Sequence, residues 1–421
     1  MPYVSRYKDV ACMKVSKNAK NAIYIGTLCS VAYLAVYFVR NILSAVSPQM
    51  IADGVYTTEG IGTLSLVYFI CYAVGQLVNG VLGDRIKAKY MISAGLLLSG
   101  IANLVFPFVV ATPTVALVAY GLAGIFLAMI YGPLTKVVAE NTEPIYATRC
   151  SLGYTFASFF GSPLAGVVAV FAWQSVFFVG SVSLIVMACV CFALLVFFEK
   201  KGIVKYDVYK TKEKTKGNVK LLFEHAIVKF SLIAIVTGIV RTAVVFWLPT
   251  YASQYLGFTP QQSARIFTVT TFIISLTPFI AVFVYERLKR NMDLTILLSF
   301  VISACFFLAV FFVKAPYLNL VCLVLAVMGS NGASSMLWSR YCPSLRDTGM
   351  VSSATGFLDF LSYMAAALSS NVFANAVASI GWSNLILVWF GLVAFGLFVA
   401  LPWKKSFKSS EKEENQEKNV Q

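Results

Sequence analysis

Charged side chains are scarce in this sequence. They make up 12% of its 421 residues, against 59% that are hydrophobic. The mean hydropathy of +0.79 excludes a soluble globular domain and predicts a protein that crosses a membrane many times. Histidine occurs only as His225, and the nine cysteines never take the CxxC spacing. We therefore expect no metal site, no cofactor and no disulfide framework, and interpret the cysteines as small hydrophobic residues.

Enzyme signatures are also missing from the sequence. It contains no P-loop, no Gly-x-Ser-x-Gly elbow and no soluble stretch long enough for an ATPase domain. We expect a protein that is not an enzyme, and any transport that it performs must then be secondary.

Apolar runs of about 20 residues, the length that crosses a bilayer as a helix, recur along the whole chain. The predicted spans are 22–50, 60–83, 90–110, 113–137, 148–172, 174–198, 226–255, 260–285, 293–313, 316–340, 349–376 and 381–403. The predicted fold class is therefore an all-α membrane protein with twelve transmembrane helices.

Positive charge is nearly absent from one set of predicted loops. Of the 33 lysines and arginines, 29 lie in the segments 1–21, 84–89, 136–149, 199–229, 286–293, 340–347 and 404–421. By the positive-inside rule, both termini and the central linker are expected to be cytoplasmic. Basic loops beside anionic lipid explain the net charge of +15, so we expect no nucleic-acid partner. We expect a multi-pass monomer in a bacterial plasma membrane.

Three sequence features of the first half recur in the second half at a nearly constant spacing. Arg40 and Arg241 are 201 residues apart, and so are Ser151 and Ser352. Asp84-Arg85-Ile86-Lys87 recurs 202 residues later as Glu286-Arg287-Leu288-Lys289. This pattern predicts a duplicated six-helix unit. The expected domains are a basic N-terminus (1–21), a first bundle (22–198), a polar linker (199–225), a second bundle (226–403) and a disordered tail (404–421).

Two arginines lie inside predicted spans, where an arginine costs roughly 2.5–3.5 kcal/mol on insertion scales. They are Arg40 and Arg241. A phosphate monoester offers about two negative charges and three acceptor oxygens, and a guanidinium group matches two of those oxygens with paired N–H donors. We therefore predict that the two arginines bind a phosphorylated anion. The alternative is that each arginine caps helix carbonyls or pairs with Asp359.

Other candidate binding residues share helix faces with these sites. Tyr37 lies near Arg40 on the face of the first span and could donate a hydroxyl to the substrate. Asp359 and Tyr363 lie four residues apart on the eleventh span. Asp359 could pair with an arginine in the empty protein, contact substrate hydroxyls or carry a proton. Weaker candidates are Thr135, Asn331, Ser334 and Trp338.

The stretch from Gly80 to Lys89, GVLGDRIKAK, resembles the G-x-x-x-D-R loop between the second and third helices of the major facilitator superfamily. This resemblance implies two pseudo-symmetric six-helix bundles around a central cavity, which rock to expose a site near the midplane to either side. It also implies that Asp84 and Arg85, with their counterparts Glu286 and Arg287, act in gating and interhelical contacts instead of binding substrate.

A narrower resemblance covers nearly the whole chain. YFVRNILSAVSPQMI, VRTAVVFWLPTYASQYLGFTPQQSA and TGFLDFLSYMAAALSS are similar to the first, seventh and eleventh helices of the organophosphate:phosphate antiporters, which carry glycerol-3-phosphate and hexose phosphates. The resemblance implies that Arg40 and Arg241 bind the phosphoryl group across the cavity, and that Tyr363 lines that cavity.

The chain departs from this group at charged positions. Ser158 stands where the carriers have a histidine on the fifth helix, and Asn41 stands where many members have a lysine. Asp359 is the pseudo-symmetric counterpart of Ser158. The organic part of the substrate is therefore left open, and so is a different anion such as a carboxylate, a phosphonate or a sugar acid.

Three functions follow from these observations. The first is exchange of an organic phosphate, such as a sugar or glycerol phosphate, for inorganic phosphate by alternating access. The second is proton-coupled symport of another organic anion or sugar, with Asp359 as the proton site. The third is a membrane sensor of the same fold, which binds a sugar phosphate without transporting it.

Overall fold

The computed structural model describes residues 17–83, 86–206, 219–345 and 351–402, and this part of the chain is helical with no strands. The first half contains α1 (Lys17–Arg40), α2 (Ile42–Ala52), α3 (Thr58–Gly83), α4 (Ala88–Val109), α5 (Pro113–Leu127), α6 (Tyr131–Asn141), α7 (Pro144–Phe159), α8 (Gly161–Val168) and α9 (Trp173–Lys200). The second half contains α10 (Val219–Glu224), α11 (Ile227–Gly238), α12 (Val245–Gln254), α13 (Pro260–Ser275), α14 (Thr277–Arg287), α15 (Met292–Phe312), α16 (Pro316–Met336), α17 (Cys342–Ser344) and α18 (Val351–Ala400).

Ten helical segments of the described residues are long and apolar enough to cross a membrane. One of them, Ala354–Ala400, holds two helices that meet at Gly381, where φ is 74° and ψ is 167°. α7 and α8 together form a further segment. The predicted fold class, an all-α membrane protein with twelve spans, is confirmed. Helices satisfy their own backbone hydrogen bonds, which is what hydrocarbon requires of a spanning segment.

Both intramembrane arginines lie where a spanning helix is interrupted. Arg40 ends α1, and Asn41 leaves helical geometry at φ −98° and ψ 0° before α2 begins. The Asn41 side chain donates from Nδ2 to the Tyr37 carbonyl at 2.6 Å. Arg241 lies in a π-helical segment, Ile239–Val244, between α11 and α12. Such π segments widen a helix locally and often occur at functional sites.

The two halves pack closely at the end of the bundle opposite the linker, which we call the far end. There α3 packs on α18, α8 on α13, and α2 on its pseudo-symmetric counterpart α12. Glycines allow this close approach: a Cβ on Gly62 would collide with Ala374, and one on Gly166 would collide with Thr268. Small residues are the usual means by which membrane helices come close.

Hydroxyl and amide side chains join the halves at the far end in what we call the polar seam. Its members are Ser44, which donates to the Phe246 carbonyl at 2.6 Å, the Ser47–Thr250 pair at 2.8 Å, the Ser65–Ser370 pair at 2.8 Å, and Gln254, which donates to Thr58 at 2.9 Å. The far end is thus closed by direct contacts between the halves.

Candidate functional site

Tyr363 brings the two arginines together. Arg40 donates from Nη1 to the Tyr363 hydroxyl at 2.9 Å, and its Cζ lies 4.6 Å from the centroid of the Tyr363 ring. The Cζ of Arg241 lies 5.8 Å from the same centroid. One tyrosine of α18 therefore lies against a guanidinium group from each half, and the structure gathers three of the predicted site residues.

Aromatic rings surround Arg40. Its Cζ lies 5.2 Å from the ring centroid of Tyr37, 5.5 Å from Phe69, 5.0 Å from Tyr72 and 4.6 Å from Tyr363. The negative faces of aromatic rings attract a cation, and the attraction grows when water is excluded. We call these four rings the Arg40 cage, and they compensate in part for the loss of hydration of the arginine.

Arg241 has a different environment. Its Nη2 is buried and has no hydrogen-bond partner among the described residues. Buried polar groups are nearly always hydrogen-bonded, so a buried guanidinium nitrogen without a partner indicates a place for a ligand or for water. Arg241 therefore presents a free donor beside Tyr363.

Asp359 lies one turn of α18 before Tyr363 and is partly buried. It shares a face of α18 with Tyr363, and Tyr363 lies against both arginines. However, no ion pair within 4.0 Å joins Asp359 to either arginine in the described part of the chain. Direct pairing was the first of the three roles expected from the sequence, and this structure does not contain it.

Tyr37 contributes to the site through its ring. The ring packs on Arg40 and meets Tyr33 with centroids 5.0 Å apart. Ser158, at the position of the family's histidine, donates from Oγ to the Thr155 carbonyl at 2.6 Å, so its hydroxyl is occupied within its own helix.

The weaker candidates separate into two groups. The Thr135 hydroxyl donates to the Gly132 carbonyl at 2.7 Å, and nothing places it in the site. Asn331 has a buried Oδ1 without a partner among the described residues, Ser334 is buried, and Trp338 lies in a second π segment, Leu337–Tyr341.

Glu286 and Arg287 end α14, at the linker end of the bundle, and are exposed. The Arg287 Cζ lies 5.1 Å from the Phe283 ring centroid. Asp84 and Arg85 lie outside the described residues. The gating role expected for these four residues stays a prediction. Among the residues that the structure describes, no cluster of three or more His, Cys, Asp or Glu could hold a metal.

Sequence reasoning missed several aromatic residues of the site. Phe69 and Tyr72 complete the Arg40 cage from α3, and Tyr131 and Tyr154 pack on Tyr33. A usable signal was the spacing of Tyr68 and Tyr72, four residues apart in a span, which places two phenols on one helix face.

Known proteins with similar sequences are membrane transporters and a membrane sensor. A sequence model described as Major Facilitator Superfamily matches residues 29–370. The glycerol-3-phosphate transporter of Bacillus subtilis is 24% identical over 62% of this chain, and the match spans 64% of that transporter's length. The phosphoglycerate transporter protein of Salmonella typhimurium is 25% identical over 91% of this chain and 89% of its own. The membrane sensor protein UhpC of Salmonella typhimurium is 24% identical over 85% of each chain.

Solved structures share the fold. A D-xylose-proton symporter superposes with a TM-score of 0.71 at 13% identity, covering 92% of this chain and 98% of that one. An inward-facing, occupied bacterial homolog of the human lysosomal transporter Spinster superposes with a TM-score of 0.73 at 11% identity, covering 91% of this chain and 97% of that one.

Proposed function

This chain belongs to the major facilitator superfamily, and we propose that it exchanges an organic phosphate for inorganic phosphate across the membrane. The observation that carries this proposal is the meeting of Arg40 and Arg241, one from each half, at Tyr363. Relatives described as transporters of glycerol-3-phosphate and phosphoglycerate support the same class of substrate.

The chemistry of the site suits a phosphate dianion. The free Nη2 of Arg241 can donate to one phosphate oxygen. Arg40 can redirect the N–H group that it donates to Tyr363 toward a second phosphate oxygen. Charge-assisted hydrogen bonds of this kind are short and strong, and two planar forks fix the orientation of the phosphate. Tyr37 and Tyr363 line the same space and can add hydroxyl donors.

The arrangement also suggests how binding drives movement. In the empty protein the two guanidinium groups repel each other across the boundary between the halves. A bound dianion replaces that repulsion with attraction and draws the halves together on the linker side of the site, while the polar seam at the far end separates. Reorientation is then fast only with a bound anion, which makes the protein an exchanger.

The membrane arrangement completes the proposal. The chain spans a bacterial inner membrane as a monomer, with both termini and the linker in the cytoplasm, as the distribution of lysine and arginine indicates. The two six-helix bundles, 22–198 and 226–403, move against each other, and residues 199–225 connect them. The protein uses no cofactor and converts no substrate chemically.

Phosphate exchange in proteoliposomes tests this function. Vesicles loaded with phosphate are given radiolabelled phosphate outside, and uptake is followed for the native protein, Arg40→Lys and Arg241→Lys. Lysine keeps the positive charge but lacks the paired N–H donors of the planar guanidinium group. We therefore expect each substitution to slow exchange by about 100-fold, the effect of losing one or two hydrogen bonds to a charged group. Arg265→Lys, an exposed arginine on α13, is the matched control and should exchange at the native rate.

Two other functions have an observation in their favour. Asp359 has no ion-pair partner within the described residues, which favours a proton-coupled symporter; uptake that requires a pH gradient would identify it. The sensor UhpC matches 85% of this chain, which favours a sensor. Phosphate binding without any exchange, from protein that is folded and inserted, would identify that case.

A further inference from the structure

One pair of helices carries contacts both at the site and at the far end. It consists of α3 and the first helix of α18, which ends at Gly381. The hydroxyls of Ser65 and Ser370 lie 2.8 Å apart, and the ring centroids of Tyr72 and Tyr363 lie 5.2 Å apart. Tyr72 follows Ser65 by seven residues, whereas Tyr363 precedes Ser370 by seven. Both contacts therefore belong to one antiparallel register, with two helical turns between them.

Two further contacts at the far end support this register. Asn371 donates from Nδ2 to the Thr63 hydroxyl at 3.4 Å, and Gly62 lies so close to Ala374 that a Cβ would collide with it. Each of these pairs is within one residue of the register of the serine and tyrosine pairs. The two helices therefore stay side by side from the far end to the level of the arginines.

The same register, continued by one turn toward the linker end, sets Gln76 opposite Asp359. Gln76 follows Tyr72 by four residues and Asp359 precedes Tyr363 by four, so each lies on the same helix face as its neighbouring tyrosine. Both side chains are partly buried, and neither has a hydrogen-bond partner among the described residues. The pair of helices is thus hydrogen-bonded on the far side of the two tyrosines, while an amide and a carboxylate stay unbonded on the linker side.

We propose that Gln76 and Asp359 hold this helix pair together when the linker end is closed. In that state the Gln76 amide donates to the Asp359 carboxylate, and the hydroxyls of Ser65 and Ser370 are separated. The contact between Tyr72 and Tyr363 is the pivot between the two ends. This assignment rests on the alternating access of the proposed function, but it does not depend on which substrate is carried.

The spacing of the contacts along the helices suits such a pivot. Ser65 lies about 10 Å from Tyr72 along the axis of α3, and Gln76 lies about 6 Å from Tyr72 in the opposite direction. Rotation about the tyrosine contact moves the two ends in opposite senses, in proportion to these lengths. Separation of the serines therefore brings Gln76 and Asp359 together by about half as much.

The hydrogen bonds of the two ends also balance in strength. The far end of this pair has two neutral hydrogen bonds, from Ser65 to Ser370 and from Asn371 to Thr63. A hydrogen bond to a charged group is worth roughly two neutral ones. One bond between Gln76 and Asp359 can therefore replace both, and it gives the intramembrane carboxylate the partner that such a group usually has. Neither facing state then greatly outweighs the other, as alternation requires.

Distances between spin labels test the proposal on the purified protein without phosphate. Spin-labelled amino acids at Asp53 and Gln261, exposed residues of the two halves at the far end, report the ratio of far-end-open to far-end-closed protein and leave the native cysteines in place. Gln76→Glu is nearly isosteric and sets two carboxylates against each other. It should lower the ratio by about tenfold or more, the effect of losing a hydrogen bond to a charged group.

An exchange of the two groups between the helices is the decisive variant. Asp359→Asn alone leaves two amides and should lower the ratio by about tenfold, because the bond to a charged group is again lost. Asp359→Asn combined with Gln76→Glu restores one carboxylate and one amide with their positions exchanged. The ratio should then return to within about threefold of the native value, whereas two substitutions that only disturb packing would add their effects.

Three other variants complete the design. Gln174→Glu makes the same chemical change at an exposed residue of α9 and should keep the native ratio. Ser65→Ala removes a bond of the far end and should raise the ratio instead of lowering it. Gln76→Leu removes the amide without adding a charge and should lower the ratio, which covers the case in which Gln76→Glu fails to fold.

The outcomes separate this inference from the function beside it. A native ratio in Gln76→Glu and Gln76→Leu would overturn the assignment, and so would a combined variant that is no closer to the native ratio than its two single variants. Absence of phosphate exchange in native protein, with the restored ratio intact, would contradict the proposed substrate alone. A far-end distance that stays the same in every variant, Ser65→Ala included, would contradict alternating access itself and this inference with it.

Discussion

Arg40 and Arg241 occupy equivalent places in the two halves, but their surroundings are opposite in kind. Arg40 is enclosed by the four rings of its cage and donates to Tyr363. Arg241 meets the ring of Tyr363 and keeps a buried Nη2 without a partner among the described residues. A duplicated residue thus has two environments: the side chains around Arg40 already stabilise it, whereas Arg241 keeps a donor without a partner.

The backbone around the two arginines differs as well. The helix that carries Arg40 breaks at Asn41, whose side chain donates a hydrogen bond to the Tyr37 carbonyl. The helix that carries Arg241 widens into a π segment without breaking. The break after Arg40 is bridged by a side-chain hydrogen bond, whereas a π segment displaces the Arg241 side chain from the regular helical position.

The largest effect is expected in a comparison of the two arginines, which measures the affinity of the purified protein for phosphate. We expect Arg241→Lys to weaken binding by about 100-fold and Arg40→Lys by about tenfold, since Arg40 must give up part of its bonding to Tyr363 when it takes up phosphate. Equilibrium dialysis with labelled phosphate measures both. Equal losses would show that the cage does not change how Arg40 binds.

The hydroxyl of Tyr363 is the second place to test the contrast. In a double-mutant cycle on the phosphate affinity, Tyr363→Phe should couple to Arg40→Lys by about 1.5–3 kcal/mol, the range for a hydrogen bond to a charged group. The same Tyr363→Phe should be additive with Arg241→Lys, because that arginine contacts only the ring. Coupling to both arginines would mean that they share the hydroxyl.

One ring of the cage provides a smaller effect. Phe69→Leu should lower the midpoint temperature of unfolding of the empty protein, because a cation–π contact to a desolvated cation contributes about 0.5–2 kcal/mol. In an Arg40→Met background the same substitution removes packing alone, so its shift should be smaller. Thermal unfolding in detergent measures both shifts, and identical values would contradict a stabilising role for the ring.

The helix break behind Arg40 gives the smallest expected effect. Asn41→Ala removes the bond to the Tyr37 carbonyl, worth about 0.5–1.5 kcal/mol, and should speed amide hydrogen exchange around residues 38–45 with no change in the π segment. Asn375→Ala is the matched control, since Asn375 makes the same kind of bond to Asn371 on an exposed surface. Faster exchange in both regions would indicate a general loss of stability.

The fold and the arginine pair could be predicted because their signals are strong. Apolar runs long enough to span a bilayer are typical of membrane helices and rare in soluble domains, and an arginine inside such a run needs a compensating partner. The family, the class of fold and the helical spans are confirmed. The roles of Arg40, Arg241, Tyr37, Tyr363 and Asp359 stay predictions, although the structure gathers these residues in one region.

The cage could not be predicted because its members look ordinary in sequence. Phe69 and Tyr72 lie in an apolar span, where aromatic residues contact lipid or other helices far more often than a cation. The difference between the arginines depends on which faces of α3 and α18 meet, and the sequence of one helix does not specify its neighbours. The π segment Ile239–Val244 likewise contains no proline or glycine from which it could be predicted.

The polar seam has a thermal consequence. In the proposed exchange cycle the halves separate at the far end, and the groups that then become wet include the hydroxyls of Ser44, Ser47, Ser65 and Thr250. Wetting of polar surface lowers the heat capacity, whereas wetting of apolar surface raises it, so the two contributions offset each other when a mixed surface opens. The enthalpy and the entropy of the change between the two facing states should therefore vary little with temperature, and a plot of the logarithm of their equilibrium constant against reciprocal temperature should be nearly straight.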